Sequence, residues 1–311
     1  MLFLGIWLGL PVCLTAADEP DAQRIVDGQA SDVIRVSTNL VSVPVSVTNV
    51  DGVAVDNLDM KDFLIEEDGR QEAILKIAGA GQAPLQLALI LDLSGSMNPR
   101  FEFERNAAIR FLEKVWEPGD SVSIISIGDR PQVRLRASRS LTEALQVLAY
   151  LRPTRSSTSF FDTVVLSAHL LRQTASKETR QSEIVLSDGE DNQSDCGLPD
   201  ALREVQLSDT MFYAINPGGT SIRLNEISIR GQEGLASLAA KTGGAAFVAD
   251  KTTDLDGIFS RIAAELRAQY LLSYYSSNSH SDGRFRQIAV SIPNRPDLRV
   301  RARQGYFAAQ K

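Results

Sequence analysis

The chain has 311 residues, 43% of them hydrophobic and 23% charged, and a formal net charge of −7. This is the composition of a globular protein with apolar material for at least one sizeable core. The acidic balance excludes the basic surface that a nucleic-acid partner requires and suits a solvated surface or cation binding.

Residues 1–17 carry no charge, and Leu2 to Leu10 form an apolar run followed by Thr15-Ala16-Ala17. This pattern predicts a signal peptide cleaved before Asp18, since the run is too short to span a bilayer comfortably. The mature chain then has no membrane span, and its address is the periplasm, the cell surface or the extracellular space. The stretch Leu10-Pro11-Val12-Cys13 resembles a lipoprotein box, but Val12 is bulky where a small residue is needed. Cys13 leaves with the signal, so Cys196 has no partner for an intramolecular disulfide. Residues 18–32 read as a flexible leader.

A β segment follows at 33–78. Val41, Val43, Val45 and Val47 alternate with polar residues, and Pro44 argues for an edge or a bulge. Asp51-Gly52 and Asp68-Gly69 are turn signals, and Phe63, Ile65, Ala73, Leu75 and Ile77 keep a period of two. Gly79 to Pro84 is a linker by composition. From residue 84 to 268 strands and helices alternate. Strands are expected at Leu85–Leu91, Val122–Ile127, Glu183–Leu186, Met211–Ile215 and Ala245–Val248. Helices are expected around Ala108–Val115, behind the capping box Ser140/Glu143, at Phe161–Ala168, at Leu235–Ala239 and at Leu255–Leu266. A second β segment, 269–311, closes the chain with alternation at Tyr270–Tyr274, Ile288–Ile292 and Leu298–Ala302. The fold class is α/β: a doubly wound, mostly parallel sheet, Rossmann-like, flanked by N- and C-terminal β segments that can pair into one β subdomain.

In such sheets ligands bind beyond the carboxyl ends of the strands. The strand Leu85–Leu91 ends in Asp92-Leu93-Ser94-Gly95-Ser96, one carboxylate and two hydroxyls on a single turn. The strand Glu183–Leu186 ends in Ser187-Asp188-Gly189, and Thr158 lies in a Ser/Thr-rich loop before a helix. Hard oxygen donors of this kind suit Mg²⁺ or Mn²⁺. Each alone has a bland reading, Ser94 and Ser96 as turn residues and Thr158 as a helix cap. Asp162 reads as a first-turn helix residue or structural acceptor, Glu190 and Asp191 as solvated, with Asp191 able to bear on the site through water, and Asp195, Cys196 and Asp200 as a loop and a helix start. His169 and His280 are too far apart in the sequence to make a zinc set.

The set Asp92, Ser94, Ser96, Thr158 and Asp188 resembles the metal-ion-dependent adhesion site (MIDAS) of von Willebrand factor A domains and integrin inserted domains, in the family's order. The resemblance covers about residues 84–268. The flanks are similar to those of secreted bacterial von Willebrand A-related proteins. Asp62-Phe63-Leu64-Ile65-Glu66-Glu67-Asp68-Gly69 matches their opening segment, and Arg301-Ala302-Arg303-Gln304-Gly305-Tyr306 matches their closing one. The resemblance implies a secreted, non-enzymatic binding module. In it, Ser94, Ser96 and Thr158 ligate the cation, Asp92 and Asp188 bind it directly or through water, and one position stays open for a carboxylate of a protein partner. Two alternatives are a Mg²⁺-dependent phosphatase of the haloacid dehalogenase type and an envelope protein with a vestigial site. The phosphatase needs a second Asp two residues after the first, where this chain has Ser94.

Overall fold

The computed structural model describes residues 40–79, 82–94, 100–154, 156–174, 179–218, 226–249, 251 and 254–310. The expected signal peptide and leader, and Gly95 and Ser96 of the candidate site, lie outside the described residues. No helix among those described is long and apolar enough to cross a membrane.

The chain opens in β strands: β1 (Leu40–Asn49), β2 (Leu64–Glu67), β3 (Arg70–Glu72) and β4 (Ile74–Ala78). A six-stranded sheet follows, made of β5 (Leu85–Asp92), β6 (Ser121–Ile127), β7 (Gln132–Ser138), β8 (Arg180–Leu186), β9 (Met211–Asn216) and β10 (Ala246–Val248). Its spatial order is β10-β9-β8-β5-β6-β7, parallel throughout except for the antiparallel edge strand β7. All eight residues of β5 are buried, which is why a strand covered on both faces reads as a nearly continuous apolar run, broken only by Gln86 before it ends in Asp92. Helices α1 (Phe101–Val115), α2 (Leu141–Tyr150) and α6 (Leu255–Ala268) cover one face through Leu87, Leu89 and Leu91. Helices α3 (Phe160–Thr174), α4 (Leu198–Leu207) and α5 (Glu226–Thr242) cover the other through Ala88 and Ile90. Only half of the expected capping box of α2 forms: Ser140 Oγ accepts from the Glu143 N–H at 3.2 Å, but the Ser140 N–H donates to Ser138 Oγ at 3.1 Å, and it is Ser138 Oγ that bonds the Glu143 carboxylate.

The last strands, β11 (Tyr270–Tyr275), β12 (Phe285–Ser291), β13 (Leu298–Ala302) and β14 (Gly305–Phe307), return to the opening ones. They build two four-stranded sheets, ordered β13-β1-β11-β4 and β14-β12-β2-β3. The sheets enclose one core containing Val43, Val45, Ile65, Leu272, Tyr274 and Ile288. The α/β unit is thus inserted between β4 and β11, which are themselves antiparallel neighbours.

The polar face of β1 is covered as well as its apolar one: Ser46 is buried, and Gln269 at the end of α6 donates to its Oγ at 3.5 Å. Strand β1 is also interior rather than an edge, yet Pro44 lies just past Val45, the last residue paired with β13. On that side of the strand Ser42 O accepts from Arg303 at 2.8 Å, so the N–H that Pro44 lacks falls where no strand needs it.

The closing segment fastens the two parts together. Arg301 donates to Gly244 O at 2.8 Å and pairs with Glu265, whose other oxygen accepts from Tyr213 at 2.6 Å. Arg303 pairs with Asp209 after α4, and Gln304 N–H donates to Lys241 O at 3.2 Å.

Candidate functional site

Strands β5 and β8 run parallel side by side, so their carboxyl ends bring Asp92 and Asp188 to the same edge of the sheet. Asp92 is 1% exposed. Its Oδ1 accepts from the Ser94 N–H at 2.9 Å and its Oδ2 from Ser187 Oγ at 2.7 Å. Ser187 Oγ also accepts from the Gly189 N–H at 3.0 Å, which ties the end of β8 to the end of β5. Ser94 is buried and Asp188 half-buried. Asp188 Oδ1 accepts from the Glu190 N–H at 3.1 Å.

Thr158 reaches this edge because its loop is stitched to the one after β8. Asn192 Oδ1 accepts from the Thr158 N–H at 2.9 Å, and Asn192 N–H returns a bond to Thr158 O at 3.1 Å. The following helix starts on the same loop: Phe161 N–H donates to Asp191 Oδ2 at 2.9 Å and Asp162 N–H to Ser194 Oγ at 3.0 Å. These are the N–H groups that a helix start leaves without partners. Asp191 is therefore an anchor for α3 rather than a solvated charge. Glu190 also has a partner, accepting from Ser228 Oγ on α5. Asp162 matches its reading, accepting from Asp195 and Cys196 N–H at 3.1 and 2.9 Å. Four of the five expected ligands thus converge at one edge of the sheet, and the fifth, Ser96, is outside the described residues.

Glu104 is a neighbour that the sequence reading missed. It lies on the buried stripe of α1 with Phe101, Ala107, Ala108 and Phe111, and it is 1% exposed. A charge on an apolar stripe was its only signal. Its Oε1 has no hydrogen-bond partner among the described residues. Burial, then the nearby carboxylates of Asp92 and Asp188, push its pKa up to about 8, against a partial offset from Arg100. Burial likewise raises Asp92, with the Ser187 and Ser94 hydrogen bonds opposing. The carboxylates of Glu104, Asp92 and Asp188 thus lie near one another, and among the described residues the opposing charge acting on Glu104 is that of Arg100. A divalent cation held by hard oxygens would supply the missing positive charge, so the residues present fit such an ion. Among the described residues no cluster of three His, Cys, Asp or Glu side chains is arranged to hold a metal. The four described members of the candidate set comprise two carboxylates, Asp92 and Asp188, and two hydroxyls, Ser94 and Thr158.

The loop carrying Asp188 is held from behind by α5. A Cβ on Gly231 would lie 2.7 Å from Gly189 C and 2.9 Å from Glu190 N. Alanine for glycine within a helix ordinarily stabilises by roughly 1 kcal/mol. Here Gly231→Ala should instead destabilise by about 1–3 kcal/mol in urea unfolding, because backbone has to move. A stabilised variant would show that the close approach is not sustained.

The sequence matches the von Willebrand factor type A domain family over residues 87–190. No curated protein matches it. Among solved structures, the mussel byssus proximal thread matrix protein 1, described with a zinc-occupied MIDAS motif, is 15% identical with a TM-score of 0.52. The match covers 65% of this chain, which spans about half (50%) of the mussel protein. A von Willebrand factor type A protein from Catenulispora acidiphila is 12% identical with a TM-score of 0.50, over 80% of this chain and 74% of that one. The BatB protein of Bacteroides thetaiotaomicron is 16% identical with a TM-score of 0.46, over 58% and 97%. At such identities the likeness is one of fold: the chain carries a von Willebrand A-type α/β fold.

Proposed function

We propose that this chain is an exported, metal-dependent protein-binding module. It holds Mg²⁺ or Mn²⁺ with Asp92, Ser94, Ser96, Thr158 and Asp188 and takes a carboxylate from a protein partner. The observation that carries this reading is the convergence of Asp92, Ser94, Thr158 and Asp188 on one sheet edge near the buried Glu104, whose Oε1 has no hydrogen-bond partner among the described residues. A cation bound there supplies an electrophilic point that an incoming carboxylate can ligate. Asp92 is fixed by donors at both oxygens, so its orientation is set before any ion arrives. The hydroxyls of Ser94 and Thr158 are neutral donors, which leave more of the ion's charge for the partner. Ser94 stands where a phosphatase of the haloacid dehalogenase type needs its acid/base carboxylate, which favours binding over catalysis.

Mg²⁺ should raise the thermal midpoint of the protein, with a gain of about 2.7 kcal/mol at a hundredfold excess over Kd. Asp92→Ala should remove that response. Equal midpoints in Mg²⁺, Mn²⁺ and EDTA would overturn the metal reading. Turnover of p-nitrophenyl phosphate abolished by Asp92→Asn would overturn the assignment as a binding module.

A further inference from the structure

Beside the candidate ion site lies a cleft of about 400 Å³ that the reading above does not use. Its floor is Leu93 and Ile127, and its sides are Thr154, Ser156, Arg130 and Arg134. The cleft is continuous with the site. Leu93 separates Asp92 from Ser94, and its carbonyl accepts from Thr154 N–H at 2.7 Å and Thr154 Oγ1 at 2.9 Å. Ser156 is two residues before Thr158 and shares a 2.6 Å hydrogen bond with Thr154.

The charge on this wall is unusual for the molecule. The net charge of the chain is −7, yet Arg130, Arg134, Arg136 and Arg139 fall in one stretch without an acidic residue. None of the four forms an ion pair with another described residue. Asp129, the acidic residue at the rim, has its Oδ1 engaged by the Ser157 N–H at 2.7 Å. Strand β7 is the free edge of its sheet, and its pairing with β6 skips Arg134: Val133 faces Ile125 and Leu135 faces Ile124. A bulge of this kind re-aims the side chain of the extra residue. Arg134 is then held by one bond, Nε to Ser126 Oγ at 2.9 Å, and its forked end makes no other hydrogen bond among the described residues. A guanidinium fixed through Nε, with both terminal nitrogens left over, is suited to a carboxylate.

We propose that this cleft is a second anchoring point for the partner, in which Arg130 and Arg134 take a second carboxylate. The recognised segment is then an acidic peptide with two carboxylates near each other, one on the ion and one in the cleft. This rests on the reading of an ion at Asp92, and it adds a requirement which that reading lacks. The free edge of β7 leaves room for an extended segment.

The test is fluorescence anisotropy with labelled oligoglutamate in Mg²⁺ and in EDTA. The wild type should bind in Mg²⁺ and lose affinity in EDTA or on Asp92→Ala. The pair Arg130→Ala/Arg134→Ala should weaken binding in Mg²⁺ about tenfold, or about 1.4 kcal/mol. The pair Arg136→Ala/Arg139→Ala removes equal charge outside the cleft and should stay within about twofold. All four arginines are exposed, so both variants should keep the wild-type thermal midpoint. Unchanged affinity in the cleft variant, with Mg²⁺ and Asp92 still required, overturns the second anchor and leaves the ion reading standing. Equal losses in the two arginine pairs overturn it in favour of diffuse charge attraction. Binding that needs Arg130 and Arg134 but neither Mg²⁺ nor Asp92 overturns the ion reading and the two-point mode with it.

Discussion

Replacing Glu67 by alanine should cost about 3–5 kcal/mol of stability in urea unfolding, among the largest losses available to a single substitution in this chain. Glu67 is the hub of the β sandwich. Its Oε2 accepts from Tyr274 at 2.7 Å and Tyr306 at 3.1 Å, and its Oε1 from Ser276 at 2.6 Å and Arg286 at 3.3 Å. Both members of the ion pair are nearly sealed, with side chains 2% (Arg286) and 1% (Glu67) exposed. Arg286 keeps the carbonyls of Asn278 and His280 when Glu67 is lost, but its charge then loses its closer and better buried carboxylate. The nearest alternative, Asp282 at 3.8 Å, is more exposed. Glu67→Gln retains the shape and some of the hydrogen bonds and should cost less, about 1–3 kcal/mol. A loss below about 1 kcal/mol for the alanine variant would mean that water or Asp282 replaces the carboxylate. The Mg²⁺ response, which belongs to the far edge of the other sheet, should survive in Glu67→Gln.

That network explains why the two flanking motifs occur together. In the opening motif Phe63 stacks edge-on against Tyr270 at 5.2 Å, Ile65 is core, Glu67 is the hub, and Asp68-Gly69 turns the chain with φ of 48° and 76°. In the closing motif Tyr306 reaches Glu67, while Arg301 and Arg303 hold the α/β unit. Both motifs were legible as strings. Their job was not, because Tyr306 and Glu67 are 239 positions apart and nothing local pairs them.

The same contrast runs through the rest of the chain. Strand β5 and the turn after it could be read directly, since a doubly buried strand and a cluster of oxygen side chains both leave local patterns. Strand β7 was missed because its residues are mostly exposed and alternate arginine with apolar side chains on a bulged edge. Helix α4 was legible only as a helix start near Asp200, without its extent, because the Asp- and Ser-rich stretch before Gly197 and Pro199 reads as loop. Asn192 and Ser187, which stitch the site together, look like ordinary polar loop residues until β5 and β8 are adjacent.

Glu183→Gln should flatten the decline of stability with pH. The sequence suggested a strand beginning at Glu183, where a charge could meet water. Strand β8 in fact begins at Arg180 and places Glu183 in its middle, 0% exposed. Neither carboxylate oxygen has a hydrogen-bond partner among the described residues. Burial pushes its pKa from 4.5 to about 8, with a small opposing effect from Ser167 nearby. The folded protein therefore keeps this proton between pH 4.5 and 8, while the unfolded chain gives it up. Stability is full below about pH 4.5 and falls as pH rises, by roughly 1.4 kcal/mol per unit from this group, until the folded form also ionises. Glutamine stays neutral throughout. In EDTA the variant should match the wild type at pH 4 and exceed it clearly at pH 8. Glu104 has the same direction of shift, so some slope remains, and Glu104→Gln/Glu183→Gln should remove most of it. Parallel stability curves for wild type and Glu183→Gln would mean that Glu183 ionises with the fold intact, through water reaching it from the α3 side of the sheet.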